Sequence, residues 1–210
     1  MDLYFNRDEV SNSDLTWLKK YWMPESQRHD IEKAYAFGTL LDAVITEPYK
    51  VNYFNRKVGE TTYSKKDFEK VTRMRKAFFA DELCTKLAAQ SSMQMVMSRH
   101  MIIDYCGFKF TLNVRCKWDL WMQALGWGAD IKSTTATTQK QFVDACKHFD
   151  YDRQRAWYMD IAGSDKDMLI GISKVNAKVF TLPINRGDEF YNAGKQKYSE
   201  LAFKWWYLFA

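Results

Sequence analysis

The sequence predicts a mixed α/β protein, a central sheet flanked by helices with a helical elaboration at the N-terminal side. Three observations carry this. Phe108, Phe110, Leu112 and Val114 alternate strictly with polar residues, the pattern of a half-buried strand. Phe68, Val71, Met74, Ala77 and Phe78 recur at three and four, the pattern of an amphipathic helix. The segments run helices, three strands, two helices, two strands and a helix, an order that sets helices against a mixed sheet.

Each element has its own signal. Ser11-Asn12-Ser13-Asp14 starts a helix, Leu15 and Leu18 follow at helical spacing, and Pro24 ends it. A second helix covers 31–45 and closes at Glu47-Pro48. Residues 65–90 are helical, with Asp81 placed to cap a second segment. Residues 93–104 and 108–116 read as a β-hairpin around Tyr105-Cys106-Gly107. Residues 117–121 either extend that strand or start the next. After Gly126, residues 127–131 form a third strand, and 134–138 a polar turn and helix cap. Helices over 139–148 and 150–161, strands over 168–175 and 179–184, and an aromatic helix over 188–209 complete the chain. No repeat or linker divides the 210 residues. One domain is expected: helical over 1–90, the sheet over 91–185, the terminal helix over 186–210.

Composition narrows the function classes. Hydrophobic residues make up 47% and aromatics 16%, ample for a packed interior. A net charge of +5 admits a polyanionic partner without demanding one. Cysteines 84, 106, 116 and 146 form no C-x-x-C pair and have no His-rich company, which argues against zinc or an iron–sulfur cluster. They fit buried thiols in a reducing compartment. MDLYFNRDEV has no apolar signal core, and no run of about 18 apolar residues occurs. A cytoplasmic chain without a membrane span is expected.

The stretch GWGADIKST carries the first chemical signal. Asp130 and Lys132 are two apart on a strand, so they share a face. Asp119 lies eleven residues earlier. If strands 108–119 and 127–132 are neighbours, both carboxylates reach one end of the sheet. They then repel unless a cation such as Mg²⁺ or Mn²⁺ joins them. An ammonium beside a metal-bound water, with charge neutralisation on a phosphate, is the equipment of phosphodiester hydrolysis. The bland alternative is two turn aspartates and a solvated lysine. Downstream, Gln154 and Tyr158 share a helix face, able to bond a phosphate or stack on a base. Their alternative is an ordinary amphipathic helix.

Asp119, Asp130-Ile131-Lys132 and Gln154-x-x-x-Tyr158 resemble, in order and spacing, the motifs of the PD-(D/E)xK nucleases of the RecB type. The stretch from Phe37 to Pro48 is similar to the G-x-x-x-H … L-E-P helix of the RecE-like (exonuclease VIII-like) branch, and Val10–Leu15 to its S-x-S-x-L segment. The resemblance covers nearly the whole chain. It implies a restriction-endonuclease-like core and a phage-type exonuclease resecting linear duplex DNA for recombination. It further implies metal at Asp42, Asp119, Asp130 and Ile131, with Asp119, Asp130 and Lys132 catalytic, and DNA at Gln154 and Tyr158. Mg²⁺ or Mn²⁺ is the implied cofactor. A single-strand-annealing recombinase and further copies of the chain are candidate partners.

One departure stands out: Asp42 occupies the family's histidine position. A carboxylate suits Mg²⁺, so the site is either preserved or weakened. The weakened reading makes the chain a DNA-binding or assembly protein; a structure-specific or RNA-directed nuclease is a further alternative. Glu47 reads as a helix-end charge. Ser133 and Thr134 either bond a phosphate or cap the next helix. Arg115 either meets a phosphate or forms a structural salt bridge. Lys174, in an apolar strand, needs a carboxylate or phosphate unless it lies at an edge. His29, His100 and His148 show no metal spacing. The aromatic C-terminus is core packing or an oligomer contact.

Overall fold

The computed structural model describes residues 8–21 and 25–210, except for the side chains of residues 25–33. Pro24 and the side chain of His29 therefore lie outside the described residues. The chain opens with β1 (Val10–Ser11) and α1 (Asn12–Lys20). Ser11 caps α1 in a reciprocal box: its hydroxyl accepts the Asp14 N–H, and the Asp14 carboxylate accepts the Ser11 N–H. Helix α2 (Glu25–Thr46) is longer than its apolar spacing predicts and ends just before Pro48, which starts a 3₁₀ turn.

A meander absent from the sequence reading follows: β2 (Val51–Asn52), β3 (Lys57–Val58) and β4 (Thr61–Thr62). Strands of two residues are too short to leave a periodicity. Helices α3 (Lys65–Ala80) and α4 (Glu82–Gln90) match the expectation, with the Asp81 carboxylate accepting the Cys84 N–H between them. The hairpin is β5 (Ser92–Tyr105) and β6 (Phe108–Met122), and 117–121 extend β6. Cys106 and Gly107 turn it at φ 52° and 83°. Then come β7 (Trp127–Thr134), α5 (Gln139–His148), α6 (Tyr151–Ala162), β8 (Lys166–Ser173), β9 (Val179–Asn185) and α7 (Glu189–Phe209).

The main sheet is mixed. Strand β6 pairs with β5 along one edge. Its other edge is shared: β1 pairs in parallel at Val114 and Arg115, and β7 antiparallel at Leu120–Met122. Strands β7 and β8 are parallel, β8 and β9 antiparallel. One apolar core lies under α2, α3 and α4, with Leu120, Ala129, Ile131, Ile170 and Ile172 of the sheet. The second joins the opposite face to α1, α5, α6 and α7. On α7, Phe203 and Trp206 pack on Phe108 and Phe110 of the hairpin. Trp205 and Phe209 meet Trp17 of α1. Core packing thus accounts for Phe203, Trp205 and Trp206, while Tyr207 and Phe209 remain exposed. Among the described residues, no helix is long and apolar enough to cross a membrane.

Candidate active site

The antiparallel register of β6 and β7 ends at Leu120↔Ala129. One more step would set Asp119 opposite Asp130, and there the strands part. Asp119 repairs the break itself: its Oδ2 accepts the Ile131 N–H at 2.7 Å. The expectation that Asp119 sits at a strand end or turn is corrected, since it lies within β6. It nevertheless falls where the β7 edge opens, and this opening brings the two aspartates together. Gly126, at φ 66°, makes the β6–β7 turn. A Cβ on Gly128 would sit 2.4 Å from the Trp118 ring and 2.6 Å from the Leu120 carbonyl, so only glycine permits this approach.

Asp130 is 2% exposed and lies between two cations. Its Oδ1 accepts Nη1–H of Arg155 at 2.7 Å. Lys132 Nζ lies 2.6 Å from Oδ2, an ion pair. Arg155 is wholly buried and also donates Nε–H to Asp167 at 2.7 Å. Its guanidinium rests on the rings of Trp118 and Tyr158, each at 4.5 Å. Burial opposes the charge on Arg155, but Asp167 and Asp130 outweigh it and hold the guanidinium protonated. Burial pushes the Asp167 carboxyl up, to about 7, against the pull of Arg155. Lys132 follows the same logic. Burial disfavours its charge, yet Asp130, Tyr151 and Asp119 raise it above the ordinary lysine value.

The other half of the site is acidic and only partly compensated. Burial pushes Asp119 up to about 6, and Asp130 adds to the rise. Asp42, half-buried on α2, is raised well above the usual carboxylate range by burial, then by Asp119 and, less strongly, Asp130. Three carboxylates therefore repel one another across α2, β6 and β7. Gln94 faces the same point from β5. Its Nε2 lies 2.9 Å from Thr46 Oγ1 and 3.4 Å from Asp119 Oδ1, and its backbone has φ 56°, a strained conformation for glutamine. Among the described residues no three His, Cys, Asp or Glu side chains stand as a ready cation cage. The physical reason is that Asp130 is turned to Arg155 and Lys132. The mutual repulsion of Asp42, Asp119 and Asp130 still fits a divalent cation better than any neutral occupant.

The remaining candidates separate cleanly. Gln154 and Ser133 keep partial access to solvent. Tyr158 is 7% exposed and packs edge-on against Trp118, so it is a core residue as placed, not a strand contact. Arg115 is 3% exposed and lies 3.5 Å from Asp14, the salt-bridge alternative. Thr134 is buried within β7, where its Oγ1 accepts the Ala136 N–H, and Thr138 caps α5. Ser133 also belongs to β7 rather than following it. Glu47 bonds Tyr49 and pairs with Lys50, a helix-end charge. His100 meets Asn113, and His148 the ring of Phe149. Arg155, Asp167 and Gln94 are the site residues that sequence reasoning missed. Helix α6 is buried on nearly every side, so no apolar face revealed that its arginines turn inward.

A family profile, the PDDEXK-like domain of unknown function (DUF3799), matches residues 12–176. No curated protein matches. Among solved structures, the chain is similar to SSO0001 at 12% identity and TM-score 0.42, covering 81% of this chain and 75% of that one. A phage-related exonuclease from Haemophilus somnus 129PT gives 12% and 0.37, covering 80% and 83%. An alkaline exonuclease (LHK-Exo) from Laribacter hongkongensis gives 18% and 0.30, covering 54% and 61%.

Proposed function

We propose, from the premise that this chain belongs to the PDDEXK-like domain family, that it is a metal-dependent deoxyribonuclease acting as an exonuclease on linear duplex DNA. The observation that carries the reading is the meeting of Asp42, Asp119 and Asp130 with Lys132 where β6 and β7 part. Mg²⁺ or Mn²⁺ is the proposed cofactor, with Asp42, Asp119, Asp130 and the Ile131 backbone as its holders. When bound, the ion supplies Lewis acidity toward a phosphate and a more acidic water.

The chain's own residues do the rest. Asp119 keeps β6 and β7 in register through Ile131. Arg155 fixes the plane of the Asp130 carboxylate. Lys132, held protonated, suits orienting a water or meeting a phosphate oxygen more than removing a proton. Gln154 and Ser133 are the proposed contacts to the DNA backbone. A role in recombination, a single-strand-annealing recombinase partner, assembly with further copies and a cytoplasmic setting belong to the same proposal.

A second reading has a specific support: Asp130 is already occupied by Arg155 and Lys132, and Asp42 replaces the family's histidine. On that reading the fold binds DNA without cutting it. The deciding test is cleavage of end-labelled linear and closed circular DNA in Mg²⁺, Mn²⁺ or EDTA. Loss of the linear substrate alone, dependent on metal and on Lys132, supports the exonuclease. Retained binding without cleavage in either metal selects the second reading, and cutting of circles or RNA selects a structure-specific or RNA-directed nuclease.

A further inference from the structure

Lys174 needs an anionic partner unless it lies at an edge; it lies just past the end of β8, partly exposed, and its charged neighbours are other cations. Lys70, Arg73 and Lys174 line a cavity of about 210 Å³ between α3 and the turn that follows β8. The ammonium groups of Lys70 and Lys174 both lie over the ring of Phe37, at 5.9 and 5.1 Å. Among the described residues, none of the three cations forms an ion pair with a carboxylate. Burial lowers the affinity of Lys174 for its proton, and the charge of Lys70 lowers it further. At Arg155 and Lys132, by contrast, the cations meet acids directly. Cations drawn together around a void with no acid among them repel, and the arrangement is relieved by an anion in the void.

Two stretches of chain connect the surroundings of the cavity to the candidate active site. Phe37 precedes Asp42 by five residues on α2, about 7.5 Å along a helix axis. The Lys174 N–H donates to the Thr134 carbonyl at 2.7 Å, two residues beyond Lys132 on β7. The turn is stiff, because Ser173 Oγ accepts N–H groups of Val175 and Asn176. Arg73 supplies a planar fork and the two lysines point charges, the donor set that recognises a phosphate group.

We propose that this cavity is a phosphate-binding subsite, and that it holds a backbone phosphate of the substrate strand beside the hydrolytic centre. The DNA assignment rests on the nuclease reading above; the phosphate chemistry does not. Affinity for a fluorescent linear duplex, measured in EDTA across a salt series, tests it in the full chain. Replacing Lys70 and Arg73 by Gln and Lys174 by Met should weaken binding and make the slope of log affinity against log salt shallower by about 1. Lys204→Gln, a surface charge paired with Glu200 on α7, should leave the slope unchanged.

A second arm melts the protein in inorganic phosphate against chloride at equal ionic strength. Phosphate should raise the melting temperature of the wild type and not of the triple variant. An unchanged slope overturns the strand assignment. If phosphate protection still depends on the three residues, the cavity takes a free phosphate instead. Should the wild type bind no duplex, the nuclease reading fails by itself, and absence of phosphate protection then overturns the subsite as well.

Discussion

Asp130 and Asp42 are both assigned to the proposed site, yet the protein treats their charges in opposite ways. Asp130 sits between Arg155 and Lys132, with Arg155 anchored in turn by Asp167. Burial raises Asp42 most, the repulsion of Asp119 and, less strongly, Asp130 adds to it, and only Lys132 and Lys117 oppose the rise. The difference separates anchoring from binding. The β7 half is a closed network that fixes geometry. The α2 half stores unfavourable charge that a cation would relieve.

The largest effect should come from breaking the closed half. Arg155→Met leaves Asp130 and Asp167 buried without their shared partner. Unfolding free energy should fall by about 3–5 kcal/mol, read from the denaturant midpoint. An unchanged midpoint would mean that the network fixes nothing. Lys132→Ala comes next. Cleavage should drop by about 10²–10³-fold with DNA affinity nearly unchanged, and full activity would remove Lys132 from the mechanism.

The open half should respond with the opposite sign. Asp42→Asn removes a charge the fold holds at a cost, so the variant should gain about 1 kcal/mol at neutral pH while losing metal-dependent activity. The pH dependence follows from the same shifts. Asp42 and Asp119 are raised in the folded state, so folding takes up protons and stability falls as pH rises from the unfolded carboxylate range, about 4, toward the folded value. For Asp119 that value is about 6. Melting curves between pH 4 and 7, in EDTA, should show this decline, and Asp42→Asn should flatten it. The smallest change is expected at half-exposed Gln154. Gln154→Ala should alter stability by less than about 0.5 kcal/mol and weaken DNA binding a few-fold, so a large stability loss would place it in the closed network instead.

What the sequence revealed follows from range. The helix start at Ser11–Asp14, the Asp81 cap, a cap within 134–138 and the β5–β6 hairpin are local, and each is legible in a few residues. The pairing of Asp119 with β7 was inferred from spacing, but its exact place required the register to break at Leu120↔Ala129. Strand β1 is two residues long and pairs with Val114 and Arg115 about a hundred positions away, so no local pattern could show it. Tyr158 and Gln154 were correctly placed on one helix. The helix is enclosed by sheet and α7, and that turned Tyr158 into core. The same enclosure hid Arg155, whose role depends on Asp167 of another strand.

The central claim is that the Asp42 half is built to receive a cation. It is tested most directly by melting the wild type and Asp42→Asn in EDTA and in Mn²⁺. The account predicts that Asp42→Asn melts higher than the wild type in EDTA, and that Mn²⁺ stabilises the wild type but hardly the variant. Equal stabilisation of both by Mn²⁺, or a variant that melts lower in EDTA, would contradict it.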